Sequence, residues 1–348
     1  MSKGVDAGPG VPQESKMPAR RRIVVPLLAC LAGCAAMGGK GPNARHLVPA
    51  AVVATIPIDR PPTLLASSPD GSRVVAASSG ELAIIRTDTN AVAATVRIPP
   101  YSSGVAVTPD GRRVLVNSVS SARLTVVDVA TASAVPDIGL IVDIPPGGFG
   151  RIAVSRDGRQ AYVTNQPKEY LALVDLKAGS TNQFSLDMSP TDVTLGADGR
   201  TLFVTGCKDF CTTGTVEVID AASRQTLRSF EVGPAPYRFA LSPDATRAYT
   251  TNLGGASLSI VDVASGATIA TVPVGVRPSG LAISPDGTRI YVAAEQQETL
   301  TIIDATHNKV LGTFSIPDHP RDIVISPDGR RAYVSTQDAV LVLDTQRL

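Results

Sequence analysis

Apolar residues recur along this chain in short runs rich in Val, Ile and Tyr, each bounded by turn residues. Between Leu281 and Pro317 four such runs follow one another: Leu281-Ala282-Ile283-Ser284, Arg289-Ile290-Tyr291-Val292, Leu300-Thr301-Ile302-Ile303-Asp304, and Val310 through Ile316. Runs of β-branched and aromatic residues between turn signals predict a four-stranded antiparallel meander. In its first turn, Pro285-Asp286-Gly287, Pro presets φ, Asp accepts hydrogen bonds from the backbone of its own turn, and Gly supplies a positive φ. One such sheet cannot bury both of its faces, so it must stack against copies of itself.

The chain supplies the copies. Aligning the turn aspartate gives Asp70, Asp110, Asp157, Asp198, Asp244, Asp286 and Asp328, with successive differences of 40, 47, 41, 46, 42 and 42 residues. The Asp that ends the third strand repeats in step at Asp88, Asp128, Asp175, Asp220, Asp262, Asp304 and Asp344. Seven repeats of this length predict an all-β fold, a seven-bladed β-propeller of four-stranded antiparallel blades. The last repeat stops after its third strand, while Val52 to Ile58 matches the outer strand Thr268 to Val274. That N-terminal strand is therefore predicted to complete the last blade and close the ring, which leaves only short outer edges exposed. Arg73, Arg113, Arg247, Arg289 and Arg331 lie three residues after their turn Asp, where an exposed ion pair contributes about 0–1 kcal/mol. Blades that depart from the pattern, with Ala245 for the turn Gly and Gln160 or Thr201 for the Arg, are predicted to have looser turns.

Tyr162-Val163-Thr164-Asn165, its variants Tyr249-Thr250-Thr251-Asn252, Phe203-Val204-Thr205-Gly206, Tyr291-Val292-Ala293-Ala294 and Tyr333-Val334-Ser335-Thr336, and the Ser-Pro-Asp-Gly turns resemble the YVTN-repeat β-propellers. The resemblance runs from about residue 50 to the end of the sequence and implies a secreted, periplasmic or surface propeller, usually without a known activity.

Ahead of the repeats, Arg20-Arg21-Arg22 is followed by the apolar stretch Ile23 to Cys30 and then by Leu31-Ala32-Gly33-Cys34. A basic segment, an apolar run too short to span a bilayer and a small-residue cleavage site read as a secretory signal, with translation starting at Met1 or Met17. The Leu-Ala-Gly-Cys order resembles the bacterial lipobox, which implies lipidation of Cys34. Ala35 and Ala36 follow, with no Asp, and by resemblance to the enterobacterial sorting rule this favours the outer membrane. The domain plan is thus 1–33 leader and signal, 34–48 flexible tether and 49–348 propeller, held at a membrane by lipid alone and facing the periplasm.

Composition then narrows the chemistry. A net charge of +1, 4% aromatic residues and no Trp argue against a nucleic-acid surface. With Cys30 in the signal and Cys34 lipidated, Cys207 and Cys211 remain as a disulfide pair in an oxidising compartment, inside an extended loop of the fourth blade. Histidines are few, at 46, 307 and 319, and neither a metal-type cluster nor a contiguous catalytic motif is present, so no cofactor and no metal are called for. Counting six residues back from each turn Asp gives Leu64, Gly104, Arg151, Asp192, Arg238, Gly280 and Asp322. On the usual propeller path these surround the channel mouth, joined by Tyr237, Arg277, His319 and Arg321. Such charges form either mutual rim salt bridges or a ligand or partner site. The chain reads as a non-catalytic envelope lipoprotein whose propeller binds an envelope protein or small ligand. The alternative is a periplasmic propeller enzyme, lactonase-like, or a redox-system accessory subunit, with its site at the mouth. Insertions at Val135 to Gly150 and Cys207 to Gly214 offer partner-specific surface.

Overall fold

The meander predicted from Leu281 onward is a blade with strands Pro278–Ile283, Arg289–Ala294, Thr299–Asp304 and Lys309–Ser315, sixth of seven antiparallel sheets in the computed structural model. The structure describes residues 45–46, 51–119, 121, 123–135, 150–208 and 211–348, all in the unit Gly38–Leu348. The seven inner strands are Pro62–Ser67, Ser102–Val107, Ile152–Val154, Ser189–Leu195, Pro236–Leu241, Pro278–Ile283 and Asp322–Ile325. Each touches the next, and the last returns to the first.

Closure follows the sequence pattern. The seventh blade takes three strands from the C-terminus, Asp322–Ile325, Arg331–Ser335 and Ala339–Asp344, and its fourth is Val52–Pro57, with Thr55 opposite Leu341 and Ile56 opposite Val340. The expected signal at 1–33 and the lipid site Cys34 lie outside the described residues, as does most of the blade-two insertion, 136–149. Two residues of the expected tether are described. Arg45–His46 runs parallel to the outer strand of blade six, with Arg45 opposite Phe314 and His46 opposite Ser315.

The hydrophobic core is a set of layers, one between each pair of neighbouring blades. Leu115, Leu124 and Val126 of blade two meet Ala161, Val163 and Ala172 of blade three. At the closure, Ile56, Tyr333, Val340 and Val342 of blade seven meet Leu65, Val74 and Ile85 of blade one. Second strands such as Gln160–Asn165 are buried on both faces beyond their first residue, which explains why they read as continuous apolar runs rather than alternating ones. The tyrosines of the motif are among the most buried side chains, Tyr249, Tyr291 and Tyr333 being 1–2% exposed. The residue two before the tyrosine serves its hydroxyl: Tyr162 donates to Gln160 Oε1 at 3.1 Å, and Arg247 and Arg289 bond to Tyr249 and Tyr291.

The turns are tighter than the Pro-Asp-Gly pattern alone implies. Ser68 donates its hydroxyl to Asp70 Oδ1 at 2.6 Å and accepts the Arg73 amide at 3.0 Å, while Asp70 Oδ1 accepts the Ser72 amide at 3.0 Å. The same hydroxyl bridge recurs at Thr108, Ser155, Ser242, Ser284 and Ser326. The Ser68 hydroxyl and the Ser72 groups hold the Asp70 carboxyl down at about 2. The repeated arginines do not pair with their turn aspartates. Arg247 and Arg289 reach forward to the Ala305 and Thr345 carbonyls of the following blade, and Arg331 pairs with Asp344 of its own third strand at 3.1 Å.

Nor are the departing turns loose. Gln160 keeps its amide bond to Ser155 at 2.9 Å, and in blade four, which has Gly196 in place of Ser, the Thr201 amide and hydroxyl both bond to Asp198. Ala245 sits in the left-handed region at φ 56° yet keeps the Ala245 amide to Ser242 carbonyl bond at 2.8 Å. Neighbouring turns explain the tolerance. The turn proline of one blade abuts the turn glycine of the next, so that a Cβ on Gly71 would lie 2.9 Å from Pro327 Cδ. The turn before Ala245 in the ring carries Ala197 where five of the seven carry proline and blade three carries Arg156, so a methyl is accommodated there.

Two outcomes test this account. Deleting Ala51 to Ile58 removes a whole ladder and buried Ile56, worth about 2 kcal/mol by itself, so the thermal midpoint is expected to fall sharply; an unchanged midpoint would refute closure by this strand. Replacing Ala245 with Gly relieves a left-handed L-residue and is expected to raise unfolding stability in urea by about 1 kcal/mol.

Candidate functional site

Five of the seven inner strands, those of blades one, two, four, five and six, begin with irregular backbone. Register shifts by a bulge at Pro190/Asp192 in blade four, Pro236/Phe239 in blade five and Pro278/Gly280 in blade six. A bulge leaves an amide without its ladder partner. In blades three, five and seven the third letter of the Tyr-Val-Thr-Asn motif takes up an amide at this end of the inner strand: the Thr164 hydroxyl accepts the Arg151 amide at 2.8 Å, Thr251 the Arg238 amide at 3.0 Å, and Ser335 the Asp322 amide at 2.9 Å. Arg151, Arg238 and Asp322 are thereby fixed at equivalent places on blades three, five and seven, whereas in blade four the equivalent hydroxyl, that of Thr205, has no hydrogen-bond partner and Asp192 follows the bulge itself.

Their side chains do different work. Asp192 is buried, and its two oxygens accept backbone amides, Val193 at 2.8 Å and Phe239 of the next blade at 3.0 Å. Asp322 repeats this geometry, accepting Ile323 at 3.0 Å and Leu65 of blade one at 2.9 Å. Each therefore staples its blade to the following one. Burial pushes the Asp192 carboxyl above its ordinary range, against the opposing fields of Arg238 and Arg151.

Arg238 of blade five forms an ion pair with Asp322 of blade seven, skipping blade six. The reach is open because the equivalent residue of blade six is Gly280, which also lets the backbones close: a Cβ there would lie 3.1 Å from Asp322 Cα. On the way the guanidinium donates Nε to the Ser279 carbonyl at 3.3 Å. Burial opposes the Arg238 charge, and Asp322 and Asp192 outweigh it and hold the pKa above the usual arginine value.

Arg151 spans blades three to five. Its Nη2 donates to the Tyr237 hydroxyl at 3.1 Å, and the guanidinium carbon lies 5.3 Å from the centre of the Tyr237 ring. The other predicted residues gather around an acid that follows the second strand of blade six. Glu295 of blade six pairs with Arg277 at 3.3 Å and Arg321 at 3.2 Å, and His319 Nδ1 lies 3.3 Å from the Glu295 carbonyl oxygen. Glu295 begins the loop between strands two and three, which shares a face with the loops that carry those cations, so charge complementarity could have found it. Cys207 and Cys211 are disulfide-bonded in the fourth blade, with Cα atoms 4.9 Å apart. Among the described residues no group of three or more His, Cys, Asp or Glu is placed to hold a metal ion.

Two grooves lie on the opposite face, between turns of adjacent blades. One of about 530 Å³ between blades two and three is lined by Arg112, Arg113 and Arg156 with Asp110, Asp128 and Asp157. Its counterpart between blades six and seven, about 410 Å³, holds Tyr291 where the first has Leu115.

Solved structures share this architecture. A hydrazine synthase chain from Kuenenia stuttgartiensis superposes with a TM-score of 0.73 at 20% identity, over 83% of this chain and 97% of that one. The β-propeller domain of Cps50 (Swd1) from Myceliophteria thermophila gives a TM-score of 0.70 at 13% identity, over 84% of this chain and 100% of that one. At these identities the likeness shows the propeller fold alone. No protein-family model matches the chain, and no curated protein sequence does.

Removing one partner of the blade-five to blade-seven pair should strand a buried charge. Arg238→Met is expected to lower unfolding stability in urea by about 3–5 kcal/mol, and Arg238→Met with Asp322→Asn to lower it by less than the sum of the single changes. Strict additivity would mean that the two groups do not support each other.

Proposed function

We propose that the chain is a non-catalytic binding scaffold of the cell envelope, anchored through lipidated Cys34 at the outer membrane and presenting its propeller to the periplasm. The observation that carries the non-catalytic part is the commitment of the mouth charges to structure. Arg238 and Asp322 neutralise each other, Glu295 takes up Arg277 and Arg321, and both oxygens of Asp192 hold backbone amides. A lactonase-like hydrolase would need an acid or base free to exchange a proton with substrate, and Asp192 is occupied as a staple. Rigid blades carrying variable loops suit recognition instead.

The address rests on the lipobox-like Leu31-Ala32-Gly33-Cys34 and the basic and apolar segments before it. No helix among the described residues is long and apolar enough to cross a membrane. Two attached acyl chains suffice for stable anchoring, whereas one is marginal.

Fractionation of cells tests the anchor: Cys34→Ala is expected to move the protein from the membrane pellet to the soluble fraction, and retention in the pellet would remove the lipid anchor from the proposal. Crosslinking in intact envelope tests the scaffold. One defined protein partner, retained when Asp192 is changed to Asn, supports it; turnover of a lactone that the same change abolishes would replace it with the enzyme.

A further inference from the structure

Once the pairs at the mouth are accounted for, one charge is left over. Arg151 is 5% exposed, and among the described residues it makes no ion pair. Its Nη2 bonds the Tyr237 hydroxyl, but its Nε is buried with no acceptor. The ring of Tyr237 beneath the guanidinium offers a cation–π contact of about 0.5–2 kcal/mol. That is far less than the hydration a guanidinium gives up when buried. Arg277 Nε is orphaned as well, but the Arg277 charge is matched by Glu295 at 3.3 Å, and orphans such as the Thr205 and Thr250 hydroxyls are neutral and leave a smaller deficit. Arg151 is thus the mouth group with the strongest unmet demand, and what it lacks is a negative acceptor.

We propose that Arg151, held in place by Tyr237, receives a carboxylate of a ligand at the propeller axis. The inference deepens the binding-scaffold reading by naming what the recognition face takes, and it rests on that reading, though not on the lipid anchor. A carboxylate fits for two reasons. One unmatched guanidinium calls for one negative charge, and the field of Asp192, which reaches Arg151, disfavours a dianion such as phosphate. The flat edge of a guanidinium also matches the two oxygens of a carboxylate in a pair of charge-assisted hydrogen bonds. The neighbouring Arg238 does not compete for the ligand, since Asp322 already occupies it.

The built-in contrast between the two arginines gives the test. The full chain in mild detergent is followed by thermal unfolding with acetate as the probe, acetamide as the neutral isostere and phosphate as the dianion, all at constant ionic strength. In buffer free of carboxylate, Arg151→Met is expected to melt close to the wild-type midpoint, because it removes a buried charge that has no ion pair while Asp192 keeps its two backbone amides and the field of Arg238, whereas Arg238→Met melts lower. Acetate is expected to raise the wild-type midpoint saturably, and Arg151→Met to weaken the apparent affinity by roughly tenfold or more. The proposal is overturned if Arg151→Met is destabilised as Arg238→Met is, if acetate gives no saturable shift, or if acetamide or phosphate acts as well as acetate. Equal stabilisation of wild type and Arg151→Met would overturn it as well. Any of these failures leaves the fractionation result for Cys34→Ala untouched, so the anchor and the carboxylate site stand or fall separately.

Discussion

A four-stranded sheet with two apolar faces is stable only between two neighbours, and that constraint governs this molecule. Seven such sheets satisfy one another only when the first also meets the last. The core consequently has no single centre, being divided among layers such as the one where Ile56, Tyr333 and Val342 face Leu65, Val74 and Ile85. Closure depends on an N-terminal strand completing a C-terminal blade, so the two ends of the propeller are joined by a ladder of hydrogen bonds. The carboxylate of Asp322 reinforces the same seam from the axis by holding the Leu65 amide.

Crowding at the axis accounts for the polar residues there. Seven inner strands converge, bulges leave amides without ladder partners, and unsatisfied buried amides are costly. Hydroxyls of Thr164, Thr251 and Ser335 answer within a blade, while Asp192 and Asp322 answer between blades. Charges placed where a ligand site was expected are for the most part the fastenings of the ring. Arg151 is the exception, because its neighbour across the axis is a neutral tyrosine. A recognition role for the mouth therefore concentrates on one guanidinium rather than on the whole set of charges.

The repeat also compensates for its own departures. Where Ala245 replaces the turn glycine, the preceding turn carries Ala197 rather than proline, and where Gly196 replaces the turn serine, Thr201 supplies the hydroxyl to Asp198. Turn substitutions in one blade are thus absorbed by a residue in the same turn or in the adjacent one. Reading each turn in isolation suggested looseness, because the compensating residue lies either on another blade or at a position with another usual role.

Spacing and pattern by themselves determined the blade count, the order of the four strands in the repeated unit and the closing strand, since these depend on local runs, turn chemistry and a period that one chain displays in full. The equivalence of Arg151, Asp192, Arg238 and Asp322 around the axis was legible for the same reason. Their partners were not. Arg238 meets Asp322 because Gly280 between them has no side chain and because the ring brings blades five and seven within reach of one guanidinium. Arg151 meets Tyr237 by a similar step across blade four, and Glu295 collects Arg277 and Arg321 from loops that only the fold puts side by side. Contacts between residues far apart in sequence depend on the closed geometry of the whole ring, and tertiary structure alone decided which charges are spent on one another and which one remains.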